Sequence, residues 1–191
     1  MNLIFASQNP NKIAEIQAKL PELTIEGLDA KLFPSELQET GTTLRENAIQ
    51  KARQVHEITQ QNCFADDTGL LVDALDGEPG VYSARYAGGQ KNSGDNMNLL
   101  LKNLSDKLDR TAIFKTVIAL IWDGDEFFFE GKCQGEITLE KSGEKGFGYD
   151  PIFKPTGYNK TFAEMTIKEK STISHRGLAV EKLVEFLQDK M

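Results

Sequence analysis

The chain of 191 residues lacks most of what marks extracellular, membrane and zinc proteins. It has two cysteines, Cys63 and Cys133, and neither belongs to a CxxC pair. They make no disulfide framework and no structural zinc site, and read as buried free thiols in a reducing compartment. The two histidines, His56 and His175, lack the HExxH spacing of a zinc hydrolase. No apolar run approaches the length that spans a bilayer. The formal net charge of -7 comes without a basic tail or stripe, so the footprint of a nucleic-acid-binding surface is missing. Repeats, low-complexity tracts, GxGxxG and GxxxxGK[ST] are absent too. Residues 1–7 show no basic region followed by a long apolar stretch, so the expected location is the cytoplasm, with no membrane or nucleic-acid partner.

What is present is a globular composition, 39% hydrophobic and 27% charged, with eleven phenylalanines supplying bulk. The length suits one sizeable core or two lobes sharing one sheet. A strand over residues 3–6 leads through a polar turn to a helix whose Ile13, Ile16 and Leu20 recur at helical spacing and which Pro21 stops. A second strand is expected within residues 23–33. Thr42 or Thr43 caps a second helix reaching about residue 60, with Glu46 placed for a capping box. Its apolar stripe is Leu44, Ala48, Ala52, Val55 and Ile58. A strand then ends at Asp66-Asp67. Residues 76–94 form a glycine-rich ordered loop, and residues 95–104 a helix. Residues 111–122 and 126–139 are strands joined by the hairpin signal Asp123-Gly124-Asp125, the second bent near Gly131 and Gly135. A last helix starts between residues 174 and 177 and ends near residue 190. The order predicts an α/β fold, a mixed sheet flanked by helices, with the hairpin building a second lobe and the site in the cleft between lobes.

Asp66-Asp67-Thr68-Gly69 is the most concentrated chemical signal. Two adjacent carboxylates beside a buried strand are costly unless metal, water or basic groups satisfy them. Carboxylates hold Mg²⁺ and orient or deprotonate water; Asp67 suits that role, and Asp66 suits either the same role or support of it. Ser7, Asn9 and Lys12 lie in a turn that enters a helix N-terminus, a place that favours anions. Glu39 either reaches a metal or faces solvent, and Lys51 either holds phosphate or reaches water along its stem. In Gly146-Phe147-Gly148-Tyr149-Asp150-Pro151, an aromatic ring between glycines suits a flat ligand. Ser174-His175-Arg176 offers donors for a carbonyl or phosphate, or a simple helix cap. Lys168, Glu169 and Lys170 fit a solvated helix face or a pocket wall equally well. His56 and Trp122 read as packing.

Together these blocks resemble the inosine triphosphate pyrophosphatase family, the Ham1-like house-cleaning enzymes. Ser7-Gln8-Asn9-Pro10-Asn11-Lys12, Glu39-Thr40-Gly41, Glu46-Asn47-Ala48 with Lys51-Ala52, and Asp66-Asp67-Thr68-Gly69-Leu70 carry the resemblance. Pro79-Gly80-Val81-Tyr82-Ser83-Ala84-Arg85-Tyr86, Gly146-Phe147-Gly148-Tyr149-Asp150-Pro151-Ile152-Phe153, Glu169-Lys170-Ser171 and Ser174-His175-Arg176-Gly177 continue it, in order, across the whole chain. The resemblance implies a single domain over residues 1–191 with an elongated two-lobed α/β fold, and a homodimer. It implies hydrolysis of ITP, dITP and XTP to the monophosphate and pyrophosphate, with Mg²⁺ as cofactor. It makes Asp67 the general base, and Glu39 and Asp67 the metal carboxylates. It assigns substrate contact to Ser7, Gln8, Asn9, Pro10, Asn11, Lys12, Lys51 and Thr68 on the phosphate side. On the nucleoside side it assigns Phe147, Gly148, Tyr149, Asp150, Lys170, His175 and Arg176. Thr68 stands where serine is more familiar and keeps the hydroxyl. A Maf-like pyrophosphatase for other nucleotides and a nucleotide-binding module without turnover are the rival readings.

Overall fold

The computed structural model describes residues 2–20 and 24–190. Pro21 and Leu23, the expected helix stop and strand start, lie outside the described residues. The strands are β1 (Asn2–Phe5), β2 (Thr24–Glu26), β3 (Cys63–Val72), β4 (Pro79–Gly80), β5 (Thr111–Trp122), β6 (Asp125–Ile137) and β7 (Phe153–Pro155). The helices are α1 (Pro10–Gln17), α2 (Leu44–Thr59), α3 (Ser93–Asn103), α4 (Ile167–Ile173) and α5 (His175–Gln188). The sheet is mixed, in the order β2-β1-β3-β5-β6-β7 with β4 on β3. β1 runs parallel to β2 and β3, whereas β4 and β7 run antiparallel to β3 and β6. The expected α/β class, a mixed central sheet with helices beside it, is the one observed.

The chain divides into two compact units. The first holds the described residues of Met1–Asp67, Thr116–Gly131 and Arg176–Met191. Its core joins Leu3, Phe5 and Phe64 from β1 and β3 to Ile118, Leu120 and Trp122 from β5. Ile16 of α1 and Ala179, Val180, Leu183 and Leu187 of α5 close over them. Phe5 and Phe64, cross-strand partners, stack with ring centroids 4.7 Å apart. The second unit holds Thr68–Lys115 and Lys132–His175. There Leu70, Val72, Phe114, Cys133, Ile137 and Phe153 pack against Met97, Leu100 and Leu104 from α3 and its C-cap.

Local chemistry explains the elements. Thr43 caps α2, and Glu46 completes the capping box as expected. The helix ends on Gln60 in the left-handed conformation. The hairpin turn puts both Asp123 and Gly124 at positive φ, which matches the strand twist. Gly135 lets β6 pass β7 closely, since a Cβ there would sit 2.4 Å from the Lys154 carbonyl oxygen.

Four expectations need correction. The first helix ends at Gln17 rather than Leu20, because Ala18 to Leu20 tighten onto the Ala14, Ile16 and Gln17 carbonyls. The second strand keeps only Thr24–Glu26. Asp66-Asp67 lies inside β3, not at its end. Ile58 is exposed, so the apolar stripe of α2 stops at Val55. Strand β7 has no counterpart in the sequence reading, the seven-residue α4 contains residues 168–170 for which a helix face was one of two readings, and Phe153 is core as expected.

Cys63 and Cys133 are both buried and unbridged. Burial pushes the Cys63 thiol up to about 12 and the Cys133 thiol to about 11. Both are predicted to resist a disulfide reagent at about pH 8 in the folded protein and to react once it is unfolded. Prompt labelling of the native chain would contradict this packing.

Candidate active site

Successive strand side chains point to opposite faces of a sheet, and β3 uses this to separate its two carboxylates. Phe64 and Asp66 face the side covered by α1 and α5; Cys63 and Asp67 face α2, where the Cys63 thiol donates to the Ala52 carbonyl.

Asp66 is fully buried and clasped by two cations. Lys12 Nζ donates to Oδ1 at 2.7 Å and Arg176 Nε to Oδ2 at 3.1 Å. Burial alone would raise the Asp66 pKa, but Lys12, Arg176 and Lys51 outweigh it and hold the carboxyl well below the usual range. Arg176 also donates to Glu15 Oε2 at 2.5 Å. Burial works against its charge, yet Asp66 and Glu15 raise its pKa above the ordinary value. For Lys12 burial wins over Asp66, so its ammonium loses a proton more readily than in water.

Asp67 sits in a different field. Asn47 Nδ2 donates to its Oδ2 at 3.1 Å, and Lys51 Nζ lies 3.8 Å from Oδ1. Burial raises the Asp67 pKa; Lys51 opposes this, Glu39 adds to it, and the net shift is upward. Lys51 also donates to Glu39 Oε1 at 2.5 Å and to the Asp66 carbonyl at 2.7 Å. Burial works against its charge, but Asp67 and Glu39 prevail and raise its pKa. A locked anion therefore stands beside a carboxylate whose proton affinity is increased, the condition a general base needs.

The turn before α1 contributes side chains more than free backbone. Asn9 Oδ1 caps the helix by accepting from the Asn11 and Lys12 amides at 3.0 and 3.4 Å. Ser7 Oγ accepts from the Asn9 amide at 3.1 Å, and Pro10 opens the helix. The amides expected to meet an anion are thus already bonded. Gln8 is tied to the Phe33 carbonyl at 3.1 Å.

The second unit gathers the other group. Asp150 Oδ2 accepts from Lys170 Nζ at 2.6 Å and from the Phe147 amide at 2.9 Å. Gly146, at φ 73°, leaves the room this needs, since a Cβ there would fall 2.0 Å from Asp150 Oδ2. Gly148 turns at φ 64°. Lys170 Nζ lies 5.1 Å from the Phe147 ring centroid and 5.4 Å from that of Phe162, within cation–π range. The buried His175 ring stacks on Phe114 at 4.4 Å. Tyr149 donates to the Ser83 carbonyl at 2.8 Å, so its hydroxyl braces the Ser83 turn. Thr68 begins this unit, half-buried.

The structure thus brings Ser7, Asn9, Lys12, Glu39, Lys51, Asp66, Asp67 and Arg176 into the first unit, and Phe147, Asp150, Lys170 and His175 into the second. Lys170 belongs to a buried cluster, not to a solvated face. Arg176 is bonded to two carboxylates, a placement the sequence reading did not contain. Glu15 and Asn47 were also missed. Asn47 had a visible signal: it shares the stripe Leu44, Ala48, Lys51, Ala52, Val55, and a polar side chain on a core-facing stripe demands partners.

Glu39 and Asp67, both placed about Lys51, are hard oxygen donors. No cluster of three or more His, Cys, Asp or Glu suited to a metal is found among the described residues. Mg²⁺ is commonly held by one or two carboxylates, water and substrate phosphate, so this donor set fits that ion better than a caged one.

The neighbouring aspartates are predicted to respond oppositely to substitution. Asp66→Asn leaves the buried Arg176 and the half-buried Lys12 short of their anion and should cost about 3–5 kcal/mol of stability. The raised Asp67 pKa means that folding disfavours its ionised form. That cost appears as pH rises past the unfolded value of about 3.9 and is complete above the folded value. Asp67→Asn should therefore raise Tm at neutral pH. Thermal melts of both variants test this; a Tm loss in Asp67→Asn matching that of Asp66→Asn would contradict it.

Known proteins resemble this chain over nearly its whole length. Residues 3–186 match the sequence model of the Ham1 family. A dITP/XTP pyrophosphatase of Flavobacterium johnsoniae is 55% identical over 188 residues, covering 98% of each chain. One from Christiangramia forsetii is 52% identical over 188 residues, covering 98% of this chain and 99% of the other. Among solved structures, the Ham1 protein of Staphylococcus aureus superposes with a TM-score of 0.89 at 40% identity, each chain covered in full.

Proposed function

We propose that this chain, which belongs to the Ham1 family, hydrolyses deaminated purine nucleoside triphosphates to the monophosphate and pyrophosphate. ITP, dITP and XTP are the substrates. The observation that supports this most is Asp67 with Lys51 Nζ 3.8 Å from its Oδ1, beside Asp66 paired to Lys12, so that two lysines suited to phosphate flank the acidic pair. The names of relatives as similar as 55% point the same way.

Water attacks the α-phosphorus, and Asp67 takes its proton. Lys12 and Lys51 stabilise the charge that develops on departing pyrophosphate. Ser7 and Asn9 orient the phosphates. Glu39 and Asp67 would hold Mg²⁺, which when bound neutralises phosphate charge and acidifies water. Phe147 and the Asp150–Lys170 pair take the base. A donor from His175 favours a 6-keto purine over adenine, because the wrong edge leaves buried polar groups unpaired. The resemblance also supports a homodimer working in the cytoplasm. No described helix is long and apolar enough to cross a membrane, and the charge of -7 argues against a nucleic-acid partner.

The test is pyrophosphate release from ITP, XTP, dITP, GTP, ATP and dTTP, with and without Mg²⁺, by the wild type and Asp67→Asn. Mg²⁺-dependent release confined to ITP, XTP and dITP is expected, with kcat about 100-fold lower or more in the variant. Release mainly from the other nucleotides would overturn the substrate assignment, and near-normal kcat in Asp67→Asn would remove its role as base.

A further inference from the structure

Glu39 stands on a segment, residues 36–41, that has no helix or strand of its own. Three side-chain amides on one face of α2 bond its backbone instead. Gln54 Oε1 accepts from the Gln38 amide at 2.9 Å, and its Nε2 donates to the Gln38 carbonyl at 3.1 Å. Gln50 Oε1 accepts from the Thr40 amide at 2.8 Å, and its Nε2 donates to Thr40 Oγ1 at 2.9 Å. Asn47 Oδ1 accepts from the Gly41 amide at 2.8 Å. Positions three and four residues apart share a helix face, so 47, 50 and 54 form one row.

Asn47 differs from the other two. Its Nδ2 donates to Asp67 Oδ2 at 3.1 Å, so one buried amide touches both the Glu39 segment and the Asp67 carboxylate. An N–H faces its oxygen and a carboxylate faces its nitrogen, which allows a single amide orientation. Gly41 is small for the same reason: a Cβ there would lie 2.9 Å from Asn47 Oδ1 and 2.6 Å from Glu46 Cβ. Thr40 and Gly41 border a groove of about 380 Å³ with Gln50 and Gln54, so this stretch meets open space along the helix. Hydrogen bonds, more than packing, set its place.

We propose that Asn47, Gln50 and Gln54 are positioning residues, an amide row that sets Glu39 against Lys51 and, through Asn47, ties its position to that of Asp67. The inference rests on the pyrophosphatase reading, and it adds residues that touch neither phosphate nor base. Gln50 and Gln54 act on turnover only through the segment they hold.

The experiment reads amide hydrogen exchange at Gln38, Thr40 and Gly41 by NMR, together with kcat, KM and Tm, in the ligand-free and turning-over protein. Gln50→Ala/Gln54→Ala should speed exchange at Gln38 and Thr40 and lower kcat about tenfold, as small misplacements of catalytic groups do, with Tm nearly unchanged. Asn47→Leu should speed exchange at Gly41 and lower kcat further, yet cost less in an Asp67→Asn background, where only its hold on the Glu39 segment is left to lose. Loosened amides with wild-type kcat, or amides that stay protected in the glutamine variant, would overturn the proposal. So would an equal loss from Asn47→Leu in both backgrounds. The glutamine variant keeps the test open if Asn47→Leu fails to fold. A wild type inactive on every nucleotide would take down the functional reading first; an active wild type with indifferent amides would take down this inference alone.

Discussion

The ion cluster around Asp66 is the constraint on which the first unit depends. A buried carboxylate is tolerable only with close, well-directed cations, and Asp66 obtains them from helices far apart in sequence. Lys12 comes from the start of α1 and Arg176 from the start of α5, 110 residues away from Asp66. Glu15 then satisfies Arg176 from the other side. If any of these elements shifted, a charge would be stranded in the core. The apolar cluster beneath, Leu3, Phe64, Ile118 and Leu183 among others, supplies most of the cohesion. The ion cluster determines which way the helices face.

That arrangement leaves Asp67 in different surroundings from Asp66. Alternation along β3 turns it toward α2, away from the cations that lock its neighbour. Two like residues in sequence acquire opposite proton affinities from opposite faces of one strand. The second unit uses the same device on a smaller scale. One oxygen of Asp150 gathers a backbone amide and the Lys170 ammonium, and Gly146 gives way to admit it. The ammonium so placed faces the Phe147 ring, a surface suited to a flat ligand.

Much of this was legible in the sequence where the signals are local. The capping box of α2, strand β5, the Asp123-Gly124 hairpin and the tight loop at Gly146 follow from spacing and turn chemistry. The illegible parts are long-range or short. The Arg176 partnership spans distances that no periodicity encodes. α4 has only seven residues, five of them polar, and shows no stripe. Asn47 was readable in principle as a polar residue on a core-facing stripe, but its two partners are defined only by the fold. Two carboxylates beside a buried strand need basic groups to satisfy them, and the fold brings these to both faces, Lys12 and Arg176 to Asp66 and Lys51 to Asp67.

The most direct test of the account is to run the hydrolysis of ITP in ¹⁸O-labelled water and locate the label in the products. Water directed by Asp67 at the α-phosphorus places ¹⁸O in the monophosphate and none in pyrophosphate. Label in pyrophosphate, or in inorganic phosphate, would mean attack at another phosphorus and would contradict the assignment of Asp67, Lys12 and Lys51.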